Sequence, residues 1–192
     1  VGELAFHAVR DGFEQISDTF SVRIEVASEF PRVLPKVFEA AGRIPPDYHT
    51  DPDGSLCLGS PLRQRLLIAK DQTLTGFVEH LLIPYLYNRS YFEKHEDLPI
   101  GDLPHGAPGL VADYERIFKV EGRSACTEML YLLGLGKRIA NKRSCPCGSG
   151  RRLGKCHNAV MNPLRKLASR REFREQLRLL LSQLKIGKSL TK

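Results

Sequence analysis

The sequence predicts an α+β protein: an antiparallel β-meander packed with helices, then a short Cys/His-rich segment and a basic C-terminal helix. Three observations carry this. Apolar residues alternate with period two before residue 41 and with helical period after residue 73. The segment Cys145-Pro146-Cys147-Gly148-Ser149-Gly150 is followed by Cys156-His157, so three thiols and an imidazole fall within thirteen residues. Charge is split along the chain: residues 1–136 hold 13 Lys and Arg against 20 Asp and Glu, and residues 137–192 hold 16 against 2.

The strands come first. Leu4, Phe6 and Ala8 alternate with Ala5, His7 and Val9. Phe20, Val22, Ile24 and Val26 alternate with Ser21, Arg23 and Glu25, which marks a half-buried strand. Phe30-Pro31 breaks it. Val33–Ala41 reads as a third strand, with Pro35 placing it at an edge because proline cannot donate to a ladder. Ile44-Pro45-Pro46 then leads into a polar loop that contains Cys57. Beyond it, Phe77, Val78, Leu81, Leu82, Tyr85 and Leu86 form a helical stripe, with Thr73 or Thr75 as N-cap and a kink expected at Pro84. Leu98–Pro108 reads as a Pro/Gly-rich loop. Leu110, Val111, Tyr114, Ile117 and Phe118 mark the next amphipathic helix. The helix around Cys126 ends near Gly134 and Gly136. Asn162-Pro163 is an N-cap and N1 pair that opens a last helix. That helix carries Leu164, Leu167, Leu177, Leu180, Leu181 and Leu184 on one side and seven Lys and Arg between Arg165 and Lys185.

At 192 residues, 42% apolar and 27% charged, the chain has material for one medium domain plus an appendage. The expected division is a domain over 1–136 and a module over 137–192. No apolar run reaches the length of a membrane span. The chain opens at Val1 without a methionine, so its natural start is expected upstream. An odd number of cysteines, three of them with metal-ligand spacing, points to a reducing cytoplasm and away from a disulfide framework.

Cys145, Cys147, Cys156 and His157 are ligand types that tetrahedral zinc prefers, and glycines let so short a segment turn four side chains toward one point. With four protein ligands the site is expected to be closed and structural, and its loss to act locally. The element resembles the SEC-C motif, a zinc-binding module found on many unrelated proteins. The resemblance covers about residues 143–158 and implies a bound Zn2+. The basic tail that follows suits nucleic acid, an acidic protein, this chain's own acidic domain, or plain solvation.

The other two cysteines differ. Cys126 shares a helical face with Met129, Leu130 and Leu133, which reads as a buried, inert thiol. Cys57 lies among turn-forming residues in His49-Thr50-Asp51-Pro52-Asp53-Gly54-Ser55-Leu56-Cys57-Leu58. Asp51 and Asp53 would raise its pKa, which speaks against a free redox thiol. The alternative is a hairpin turn at Asp53-Gly54 with Cys57 packed in the next strand.

Strand, strand, cysteine loop and helices, with the form H-x-D-x-D-G-S-L-C-L, resemble the ubiquitin-conjugating enzyme (UBC) fold over about residues 1–120. The match is closer to the prokaryotic branch that includes the conjugating enzymes of CBASS antiphage operons. The resemblance implies that Cys57 accepts an acyl group as a thioester and passes it to a lysine amine, with His49 and Asp51 organising the loop. It implies a cyclic-oligonucleotide synthase of the cGAS/DncV-like nucleotidyltransferase class (a CD-NTase) as acyl donor, a protein lysine as acceptor, and a role in antiviral defence. One departure matters. The eukaryotic motif has Asn where this chain has Asp51, and a carboxylate cannot donate a hydrogen bond to an oxyanion unless protonated. The oxyanion donors are then expected among the backbone N–H groups of Ser55–Leu58, or from His105. The rival reading is a non-enzymatic, zinc-containing adaptor for a protein or nucleic acid, with a structural Cys57.

Overall fold

A computed structural model describes residues 1–99 and 106–189, with side chains of the last helix to 184. Three antiparallel strands form one sheet in the order β1-β2-β3: β1 Gly2–Ala8, β2 Ile16–Glu25 and β3 Lys36–Glu39. The register sets Phe6 opposite Asp18 and Ile24 opposite Val37. Because side chains alternate across a strand, Phe6, Ile16, Phe20, Val22 and Val37 all reach the buried side.

The third strand is shorter than the expected Val33–Ala41. Residues 29–33 instead make a turn, in which the Arg32 and Val33 amides donate to the Glu29 carbonyl, at 2.8 and 3.3 Å. At its far end the Glu39 carboxylate accepts from the Ala41 and Arg43 amides, both at 2.9 Å, and turns the chain out of the ladder. As Pro35 suggested, β3 lies at the sheet's edge.

The chain divides into two compact units, residues 1–59 with 67–103 and residues 60–66 with 104–192. In the first, the sheet packs on α2 (Leu74–Phe77), a π-helical turn (Val78–Leu82) and α3 (Ile83–His95). Thr73 caps α2, its hydroxyl accepting from the Gly76 amide at 3.0 Å. Gly76 must be glycine, because a Cβ there would meet the Asp71 carbonyl at 2.4 Å. The kink expected at Pro84 takes the form of the π turn just before it. Proline has no N–H, and its ring crowds the carbonyl four residues back in a regular helix.

Arg43 ties this unit together. Its guanidinium stacks 4.0 Å over the Phe20 ring and donates to Asp18 of β2 at 2.6 and 2.9 Å. It also donates to Glu93 of α3 at 2.6 Å. Ser90 of α3 donates to the same Asp18 carboxylate at 2.6 Å. The Arg43 hydrogen bonds, aided by Ser90, hold the Asp18 carboxyl down to about 2.

The second unit contains α1 (Pro61–Leu67, through Leu66), α4 (Gly106–Phe118), α5 (Arg123–Leu133), α6 (Lys137–Ala140), a 3₁₀ turn (Leu153–Lys155), α7 (Asn158–Leu167) and α8 (Arg170–Ser189). Helix α4 begins at Gly106, inside the stretch read as loop; Ile100–His105 lie outside the described residues. Cys126 is fully buried with Met129, Leu130 and Leu133, and burial lifts its thiol to about 11. Helix α7 begins at Asn158, not at Asn162-Pro163, and Pro163 lies within it. The expected single last helix is two. The break falls at Ala168-Ser169, where the Ser169 hydroxyl accepts from the Glu172 amide at 3.2 Å. The Glu172 carboxylate in turn accepts from the Ser169 amide at 2.7 Å. This reciprocal pair is a capping box. Residue 136 lies inside this unit: Cys145, Leu153, Met161 and Leu164 are buried in one cluster with Met129, Leu133 and Phe173. Among the described residues, no helix is long and apolar enough to cross a membrane.

The Asp18 linkage has a definite sign. A carboxyl depressed in the folded state adds stability that is present above its unfolded pKa and is lost as pH falls through its folded pKa. A depression from 3.8 to about 2 corresponds to about 2 kcal/mol at neutral pH. Protection factors of β2 amides, taken against intrinsic exchange at each pH, should therefore fall between pH 4 and pH 2. Asp18→Asn should raise exchange at pH 6 and flatten that acid response. An unchanged acid response in the variant would remove Asp18 from the account.

Candidate functional site

The Cys57 loop is built from backbone bonds. Thr50 pairs with Leu56 as an antiparallel bridge. The Asp51 amide donates to the Ser55 carbonyl at 2.7 Å and the Gly54 amide to the Asp51 carbonyl at 2.8 Å. Gly54 has φ +83°, a value that glycine adopts without cost. The Leu56 amide donates to the Val37 carbonyl at 2.8 Å, which fastens the loop to β3, and the Cys57 amide donates to the His49 carbonyl at 2.8 Å. So Asp53-Gly54 does form a hairpin-like turn, while Cys57 lies beyond it, half-buried and outside any strand.

Helix α3 holds the other side of this loop. The Tyr85 hydroxyl donates toward the carbonyls of Tyr48 and His49, at 3.1 and 3.2 Å. The Tyr48 ring meets Tyr85 and His49 edge-on, with centroids 6.1 and 5.1 Å apart. Arg89 lies 4.8 Å from the Tyr48 ring centre and pairs with Glu93 at 2.9 Å, so the Arg43 network extends to the loop. His49 acts here through its carbonyl, which receives both the Cys57 amide and Tyr85. No spacing rule flags Tyr85; its signal in sequence was only a tyrosine on an apolar stripe.

Asp51 lies against the thiol. Burial, and then the hydrogen-bonded Asp51 carboxylate, push the Cys57 thiol up, against a pull down from the Gly59 amide. Loss of solvent and the neighbouring Asp53 push Asp51 up in turn. Asp53 itself is held low by Lys36, 2.5 Å away, and by Ser55. Of the amides expected as oxyanion donors, three are committed: Ser55 to the Asp53 carboxylate at 3.1 Å, Leu56 to Val37, and Cys57 to His49. The Leu58 amide remains of that set. His105 lies outside the described residues.

The second site is in the other unit. Cys145, Cys147, Cys156 and His157 bring their ligand atoms within 4.8 Å of one another, and this group could hold a metal ion. The loop is shaped by a Ser144–Arg152 bridge and by Gly148 and Gly150 at φ +76° and +70°. Cys145 Sγ and Cys156 Sγ lie 3.1 and 3.3 Å from His157 Nδ1, and Cys147 Sγ is 3.5 Å from Cys156 Sγ. A tetrahedron with metal–sulfur arms of about 2.3 Å has edges of about 3.8 Å, so the cluster has the right size. His157 Nε2 donates to the Lys119 carbonyl at 3.0 Å. This bond fixes the tautomer and turns the Nδ1 lone pair inward, as ligating histidines require. Ser149 Oγ and Arg151 Nη2 approach Cys156 Sγ at 3.3 and 3.4 Å. The Ser149 hydroxyl bond is the main cause that holds this thiol down at about 6.

No family model matches this chain, and neither a curated protein nor a solved structure does.

Because Cys145 and Leu153 are buried in the α4–α5–α8 core, metal loss should spread beyond the loop. The purified chain should carry one metal equivalent, and Cys145→Ser/Cys147→Ser should carry none by elemental analysis. Exchange should also rise in α5, against the local effect expected from sequence. A full equivalent retained by the variant would refute the ligand assignment.

Proposed function

We propose that this protein is a cysteine-dependent conjugating enzyme of the UBC-like, CBASS type. Cys57 is its acyl acceptor, and a structural zinc sits at Cys145, Cys147, Cys156 and His157. The observation that carries the reading is the Cys57 loop itself. A half-buried thiol follows a pinned hairpin turn, with one carboxylate against its sulfur and no strand around it. Three thiols and one imidazole nitrogen, all from protein, suit zinc in a closed site without a place for a substrate water.

The chemistry uses an already activated acyl group. Cys57 Sγ attacks its carbonyl carbon, the leaving group departs, and the thiol proton passes to Asp51. A lysine amine then attacks the thioester. Its proton goes to a carboxylate or to water, the C–S bond breaks, and the thiolate leaves as the amide forms. A thiol held protonated at neutral pH resists oxidation and stray alkylation, and Asp51 supplies the missing base. Asp51 is thus a proton acceptor, in place of the hydrogen-bond donor that Asn provides in the eukaryotic motif. The donor in this reading is the C-terminus of a cyclic-oligonucleotide synthase, the acceptor is a protein lysine, and the setting is cytoplasmic antiphage defence.

The adaptor alternative is favoured by one fact, that burial and Asp51 both hold Cys57 in its unreactive form. Variants separate the two. With a cyclic-oligonucleotide synthase supplied as candidate donor, Cys57→Ala should abolish conjugation, Cys57→Ser should accumulate an oxyester, and Cys126→Ala should conjugate normally. Asp51→Asn gives a paired sign. Removing the neighbouring charge lowers the thiol's pKa, so alkylation by iodoacetamide at pH 8 should quicken several-fold while conjugation slows at least tenfold. Full conjugation by Asp51→Asn would contradict the base role, and equal conjugation by the two alanine variants would contradict the enzyme.

A further inference from the structure

Helices α5 and α8 leave an open groove of about 570 Å³ between them, wholly within the second unit. Its floor includes Leu177, Leu181 and Leu184, and its α5 side includes Tyr131. Tyr131 is 46% exposed and Leu181 is 40% exposed, so an apolar stripe faces solvent along the groove. Such a groove has the size and lining that binding sites use. An apolar strip between two helices is also the form that receives an amphipathic helix.

We infer that this groove docks an acidic amphipathic helix of a protein partner. Charge selects the occupant. In the second unit Lys and Arg outnumber Asp and Glu by 21 to 6. The groove's own lining carries one charge of each sign, Arg123 and Glu128 of α5, and exposed Arg174 and Arg178 on α8 beside the leucines tip the balance to positive. The stem of Arg174 lies against Gly134, where a Cβ would meet its Cγ at 2.8 Å, so that arginine is held along α5. A second copy would bring two basic α8 helices together and be repelled. Nucleic acid would satisfy the arginines but leave the leucines and Tyr131 in contact with charged phosphates. A helix with an apolar face and acidic flanks meets both features. This inference stands on the groove and does not depend on Cys57.

Selection of displayed 16-residue peptides on the full chain tests it. Enriched sequences should combine apolar residues at i, i+3 or i+4, and i+7 with Glu and Asp on the flanks. Their synthetic forms should bind at least tenfold more weakly to Leu181→Asp and to Tyr131→Ala, two surface changes that leave the melting transition in place. They should also weaken with Arg174→Glu/Arg178→Glu. Absence of enrichment, enriched peptides without acids, or binding indifferent to Leu181 and Tyr131 overturns the proposal. A dimer in sedimentation that Leu181→Asp dissolves does so too, making a second copy the occupant.

Discussion

The first unit depends on a single guanidinium. Arg43 sits on the Phe20 ring and donates both to Asp18 on the central strand and to Glu93 on α3. Apolar packing alone would set the distance between sheet and helix but not the helix's register along it. Two charge-assisted contacts at 2.6 Å set that register. From there the chain of contact is continuous. Glu93 holds Arg89, Arg89 lies at the Tyr48 ring, and α3 presents the Tyr85 hydroxyl to the Tyr48 and His49 carbonyls. The Cys57 amide hangs from the same His49 carbonyl. The candidate nucleophile is thus positioned by a network that begins on β2.

The Cys/His loop plays a comparable part in the second unit. Cys145 and Leu153 bury on the same core as α5 and α8, and His157 reaches back to the carbonyl that ends α4. At Gly154 a Cβ would stand 3.0 Å from the Asn141 carbonyl, so loop and α6 approach as closely as backbones can. A metal bound by these four side chains would also fix one wall of the core. The loop and the helices it supports are parts of one folded unit.

Much of this was legible in sequence. The period-two runs mark β1 and β2, Thr73 caps its helix, and the Cys-x-Cys…Cys-His spacing converges as metal-ligand spacing suggests. Cys126 is the inert core thiol its helical face implies. What stayed hidden has physical reasons. Helix α7 starts at Asn158 because the His157 ring is anchored to Lys119, a long-range bond that outweighs the local preference of Asn162-Pro163. The Ser169–Glu172 capping box was readable as S-x-x-E, yet the leucine stripe runs through it and suggests one unbroken helix. Segment 60–66 joins the second core across the 37 residues 67–103, which no local pattern can report. The oxyanion amides could not be chosen from sequence, since their availability depends on which carbonyls the turn brings near.

The central claim is that the loop pinned by Tyr85 and His49 holds Cys57 as an acyl acceptor. Peptide mapping of the chain isolated with a cyclic-oligonucleotide synthase as the proposed donor, at mildly acidic pH and without reducing agent, tests this most directly. The Cys57 peptide should carry the donor's C-terminal residues, and neutral hydroxylamine should remove them. A Cys57 peptide found only as free thiol, with the donor joined elsewhere or not at all, would contradict the account.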